Sequence, residues 1–129
     1  MKTNHKLALA VLVGVALGVA GATAIHAQQV KTPPGYVIAE VDIKDPATFQ
    51  KYAEKVTETL APFNAHYVLR TVKIQAVEGE APKRVAVIAF DSVEKARAWE
   101  DSPAYVAIKP TRQSSAKSRI FIAEGVAPQ

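Results

Sequence analysis

The chain has 129 residues, 49% of them hydrophobic, which gives room for one domain and an ample core. Its 16 Lys and Arg outnumber 12 Asp and Glu for a net charge of +4. It has no cysteine, which excludes a thiolate nucleophile, a lipid-modified N-terminal cysteine, thiolate-bound zinc and iron–sulfur clusters.

Residues 1–27 carry the three parts of a secretory signal. Lys2, His5 and Lys6 open the chain, an apolar run extends from Leu7 to Ala22, and small residues lead to Ala27 ahead of the polar Gln28-Gln29. The run of 16 residues is shorter than the ~20 that span a bilayer. The expectation is cleavage after Ala27, with Ala24 as second choice, and a periplasmic or secreted protein; left uncleaved, the segment would be a membrane anchor. Removing Lys2 and Lys6 leaves 14 basic residues against 12 acids. A balance this even, without clusters, argues against a nucleic-acid partner.

Residues 28–34 form a polar leader, and residues 35–126 the folded domain. Tyr36 to Ile43 reads as a strand rich in β-branched residues. Asp45-Pro46 supplies an N-cap and a first-turn proline. Phe49, Tyr52, Ala53, Val56 and Leu60 then make one helical stripe, stopped at Pro62 and Asn64. His66 to Val77 reads as a long second strand, residues 78–82 as a turn, and Arg84 to Phe90 as a buried third strand. Asp91 and Ser92 both offer N-caps, with Glu94 placed to complete a capping box on Asp91. Val93, Ala96 and Trp99 share a face of the helix that follows. Asp101-Ser102-Pro103 interrupts it, a short helical stretch runs from Ala104 to Ile108 toward Pro110, and Ser118 to Glu124 alternates as a closing strand.

The order β-α-β-β-α-β is that of an α+β, ferredoxin-like domain: an antiparallel sheet with two helices on one face. Apolar residues lie on both faces of the first and third strands, and the chain holds no third layer to cover the second face. A second copy is the simplest cover, so a homodimer is expected.

The domain resembles the family called domain of unknown function 1330 (DUF1330), within the dimeric α/β-barrel superfamily. The residues that carry the resemblance are Gly35 to Glu40, Tyr67 to Arg70, Lys83-Arg84-Val85, Phe90-Asp91-Ser92, Ala98-Trp99, Ser102 to Tyr105, Arg112, and Ser118 to Gly125. It implies a homodimeric barrel with a cleft between sheet and helices in each subunit, and it implies no reaction. Two positions depart from the family pattern. Thr71-Val72 stands where two glycines often follow the arginine, and Glu100 where an aromatic residue often follows the tryptophan.

The residue types narrow the chemistry further. His66, the only histidine after residue 27, has no partner in sequence to orient it as a base, and haem ligation is its other functional reading beside a surface role. No G-x-S-x-G elbow and no phosphate-cradling glycine loop occurs. No cofactor and no metal site is expected, and no catalytic residue is assigned. Arg70 interrupts an apolar strand and Arg112 follows the second helical stretch; each either pairs with an acid or anchors an anionic ligand. Glu40 is a candidate partner for Arg70, or a base. Trp99, Ser102 and Tyr105 cluster at the helix break, either as packing and cap or as cleft walls with a hydroxyl at the mouth.

The candidate ligand site is therefore Arg70, Trp99, Ser102, Tyr105 and Arg112, for a small, partly apolar or anionic molecule. The rivals are a cofactor-independent oxygenase or isomerase of the same superfamily, which needs an acid or base facing the ligand, and a structural module with no pocket.

Overall fold

A computed structural model describes residues 31–129, so the signal expectation lies outside the described residues. Four strands, β1 (Gly35–Ile43), β2 (His66–Thr71), β3 (Val85–Phe90) and β4 (Ala116–Glu124), form one sheet in the order β2-β3-β1-β4. Every neighbouring pair is antiparallel. Helices α1 (Pro46–Leu60), α2 (Val93–Glu100) and α3 (Pro103–Ser115) pack on one face. This is the ferredoxin-like arrangement, with its second helix broken into α2 and α3. Among the described residues no helix is long and apolar enough to cross a membrane.

Helix α1 begins where expected. The Thr48 N–H donates to Asp45 Oδ1 at 3.2 Å, Pro46 sits in the first turn, and Phe49, Tyr52, Val56 and Leu60 are buried. It ends in a short 3-10 turn (Ala61–Phe63), closed by Asn64 at φ 51°. Gly35, in the central strand, lies so close to the start of α2 that a Cβ there would meet Ser92 O at 2.5 Å.

Three local expectations are corrected. Strand β2 stops at Thr71 rather than Val77: β3 begins only at Val85, directly opposite Thr71, so an edge strand has nothing further to pair with. The Lys73 N–H turns back onto Thr71 Oγ1 at 2.9 Å, and Val72 and Val77 are 64% and 95% exposed. The cap of α2 is Ser92, whose Oγ accepts from the Lys95 N–H at 3.2 Å; Asp91 instead accepts from Asn64 Nδ2, so there is no capping box. Finally, α3 runs through Pro110 to Ser115 instead of ending near Ile108. A proline inside a helix costs ~3 kcal/mol. Beyond it the helix is tied down, because the Ser115 carbonyl accepts from the Lys44 and Asp45 N–H groups at 2.8 and 2.9 Å, and Arg112 and Ser115 are buried. Tertiary anchoring outweighs the local break.

The core holds a continuous run of five rings. Phe49 meets Tyr52 at 5.5 Å between centroids, Tyr52 meets Tyr105 at 6.3 Å, Tyr105 meets Trp99 at 3.9 Å and Trp99 meets Phe90 at 5.5 Å. This run links α1, α3, α2 and β3, and its rings other than Phe90 form one side of a cleft.

Candidate functional site: an arginine-lined cleft

A cavity of about 50 Å³ lies between the helices and the inner face of the sheet. Its floor is aliphatic, from Val37, Ala39 and Val41 of β1 with Ala86, Ile88 and Ile120 of the flanking strands. Phe49, Tyr52 and Val56 of α1, with Trp99 and Tyr105, form its roof. Three guanidiniums reach it, from Arg70, Arg84 and Arg112, and among the described residues that line it there is no carboxylate and no histidine.

Arg112 is the deepest of the three, 8% exposed in the last turn of α3. Its Nε is buried with no hydrogen-bond partner. The ion pairs among the described residues join Lys44 and Lys83 to Asp42, Lys109 to Glu100, and Arg119 to Glu40, so none involves Arg112, Arg70 or Arg84. A buried guanidinium is normally paired, because losing water without gaining an acceptor costs roughly several kcal/mol per ion. Extending α3 past Pro110 is what carries Arg112 inside.

Arg70 and Arg84 are more open. The Arg70 guanidinium stacks over the Tyr67 ring at 4.7 Å, and that of Arg84 lies 5.8 Å from the Phe49 centroid. Tyr67 and Arg70 are three positions apart, and strict alternation would put them on opposite faces of the sheet. A bulge between Tyr67 and Leu69 restores them to one side: Tyr67 stands opposite Ile88 and Arg70 opposite Ala86, both on the inner face.

The hydroxyls of Tyr52 and Tyr105 meet at 3.1 Å at the cavity wall. Burial, then the neighbouring Tyr105, push the Tyr52 phenol far above its usual range, and the Arg112 charge opposes them only in part. Burial also raises Tyr67, against Arg70. Both phenols therefore stay protonated at neutral pH and keep a proton to donate. Trp99 is 1% exposed, and its Nε1–H is spent on Thr59 Oγ1 at 2.9 Å, so it offers the cavity only its ring.

Of the five residues expected from sequence, the cavity brings together Arg70, Trp99, Tyr105 and Arg112. Ser102 is not in its lining. Its Oγ donates to the Trp99 carbonyl at 2.7 Å and accepts from the Tyr105 N–H at 3.4 Å, which makes it the cap of α3. Glu40 is not the partner of Arg70. It points to the outer face of the sheet, where the Arg119 Nε–H donates to its Oε2 at 2.6 Å. His66 is exposed on that same face, opposite Ala89. Arg84, Tyr52 and Tyr67 join the site without having been expected there. Tyr52 had a legible signal, since a tyrosine in a buried helical stripe brings a hydroxyl that needs a partner.

Residues 34–126 match the family described as a domain of unknown function, DUF1330. The chain belongs to the DUF1330 family. Comparison with the curated proteins finds no match. Among solved structures, a protein of unknown function from Rhodopseudomonas palustris superposes on the DUF1330 chain with a TM-score of 0.63 at 15% identity, over 84% of this chain and 94% of its own. SnoaB, a cofactor-independent oxygenase from Streptomyces nogalater, reaches 0.54 at 12% identity, over 76% and 96%. A dimeric ferredoxin-like protein of unknown function from Thermobifida fusca reaches 0.53 at 14%, over 75% and 95%. At these identities the likeness is one of fold.

Proposed function

We propose that this DUF1330 protein is exported, works as a homodimer, and binds a small anionic, partly apolar ligand in the cleft between sheet and helices. The observation that carries the binding reading is Arg112: a guanidinium almost wholly buried, with no acceptor on Nε, facing an aliphatic cavity that two further arginines reach and no carboxylate lines. An anion there would supply the opposite charge that the protein does not. The oxygenase or isomerase alternative needs an acid or base facing the ligand. The lining offers tyrosines held in their protonated form, which favours binding over proton abstraction.

The dimer reading rests on the outer face of the sheet. Leu69, Val87, Ile38 and Phe121 stand directly opposite one another in turn, so one apolar row crosses all four strands. Leu69 and Phe121 are 44% and 41% exposed. A self-complementary row of this kind suits a second copy, and a stable interface buries ~800 Å² per partner. Export rests on the N-terminal pattern of residues 1–27.

The experiment that tests the binding reading is a thermal-shift screen of small anions on the native protein, repeated on Arg112→Met. Stabilisation by an anion that vanishes in the variant supports it. Anions that bind both proteins alike would remove the cleft from consideration.

A further inference from the structure

We propose that the cleft selects a short aliphatic carboxylate of roughly two to four carbons, its head gripped by Arg112 and by the spare O–H of the Tyr52–Tyr105 pair. This rests on the anion-binding reading above and names its ligand class.

Size comes first. The space that the cleft encloses is small, about 50 Å³. A cavity that admits a benzene ring measures about 150 Å³, three times as much. A short carboxylate fits within the cleft whole, whereas an aromatic acid or a long acyl chain would leave part of its body at the open mouth.

The walls decide the tail. Beneath the ring layer, the floor is Val37, Ala39, Val41 and Ile88, with no side-chain donor or acceptor for a second polar end. A short alkyl group is the complement of such a surface. A phosphate-like anion would place polar oxygens against it on every side.

The head is set by donors that have no other use. Arg112 is in none of the ion pairs among the described residues, and a planar carboxylate matches the guanidinium fork. The two phenols share one mutual hydrogen bond at 3.1 Å, which consumes one of their two protons. The second proton is left to donate, and both rings line the cavity that Arg112 enters. A guanidinium and a phenol then meet one carboxylate, with the tail directed to the aliphatic floor.

The test is calorimetry on the purified full chain with acetate, propionate, butyrate, hexanoate, octanoate and benzoate, with propionamide as the uncharged control and inorganic phosphate as the tailless anion. Expected is an optimum at propionate or butyrate, a fall of about ten-fold or more by hexanoate, and no heat from benzoate, propionamide or phosphate. The double variant Tyr52→Phe/Tyr105→Phe, in which both partners become apolar together, should keep its melting temperature and lose about ten-fold in propionate affinity. Affinity that climbs through octanoate, or benzoate binding that depends on Arg112, overturns this ligand class and leaves the anion site standing. Silence from every carboxylate and from phosphate overturns both. The chain-length series uses native protein, so its outcome does not depend on any variant folding.

Discussion

The hydroxyls of Tyr52 and Tyr105 meet at 3.1 Å although 53 residues separate them in the chain. Each ring packs within the aromatic run that binds helices to sheet, so the pair is held by packing on both sides. The Arg112 charge is felt at Tyr52, and a structural tyrosine pair thereby becomes one wall of a cationic cleft.

Arg112→Met should raise stability and weaken binding together. A buried charged group without a partner costs ~1–3 kcal/mol or more, offset by the ~0.3–1 kcal/mol that a cation gains in the last turn of a helix. For a domain of this size each kcal/mol moves Tm by about 4–8 °C, so a rise of several degrees is expected. Loss of a charge-assisted anchor worth ~1.5–3 kcal/mol lowers affinity about ten- to a hundred-fold. Thermal melts and calorimetry on one variant read both effects. A steep fall in Tm would return Arg112 to a purely structural role.

Alkaline pH should unfold the protein cooperatively. Tyr52 and Tyr67 are raised above the usual 10.0 chiefly by burial. The folded state therefore holds these protons more tightly than the unfolded chain. Their contribution is fully present below the unfolded pKa of about 10 and is lost as pH rises through the folded values. Tyrosinate absorbance should appear with the loss of ellipticity, and Tyr52→Phe/Tyr105→Phe should move the alkaline midpoint upward. Ionisation of both tyrosines in a still-folded protein would contradict the burial argument.

Phe121→Asp should separate the proposed dimer. The substitution puts a carboxylate in the apolar row beside Ile38, where docking a second copy would strip it of water. Light scattering should change from twice the subunit mass to once, with the circular dichroism of the subunit retained. A native protein that is already monomeric at micromolar concentration ends the dimer reading.

Gly35→Ala should cost about 1–3 kcal/mol, because the atoms its methyl would strike are backbone and cannot swing away. Chemical denaturation should show a lower midpoint with an unchanged slope. A neutral outcome would mean that β1 and the start of α2 can separate freely.

Cleavage after Ala27 should leave a chain of 102 residues beginning at Gln28. Intact mass of periplasmic material reads this directly, and a full-length species confined to the membrane fraction would argue for an anchor.

Much of this molecule is legible in its residues, for definite reasons. Asp45-Pro46, the stripe from Phe49 to Leu60 and the break at Ser102-Pro103 are local signals, and local hydrogen bonds and packing satisfy them in the structure. The places that are not legible depend on distant partners. Where β2 ends is set by where β3 begins, at Val85. Whether α3 survives Pro110 is set by Lys44 and Asp45 holding the Ser115 carbonyl. Arg112 can be named as a candidate from sequence, but its burial follows from that extension. Arg84 gives no local signal beyond its place at the head of a strand, although its charge faces the same cleft.

The extra residue at the β2 bulge makes the identity of the cleft partly a matter of counting. Deleting Val68 would remove the bulge and leave Tyr67, Leu69 and Arg70 opposite Ile88, Val87 and Ala86 in plain alternation, each on its present face. Pairing the same residues without the bulge, with Val68 taken into the ladder, would instead put the guanidinium on the apolar row and an isobutyl group at the cavity. Net charge and hydropathy would be untouched, while the cleft lost a cation and the outer face gained one. The bulge, rather than the residue types alone, thus decides which face of the sheet carries the Arg70 charge.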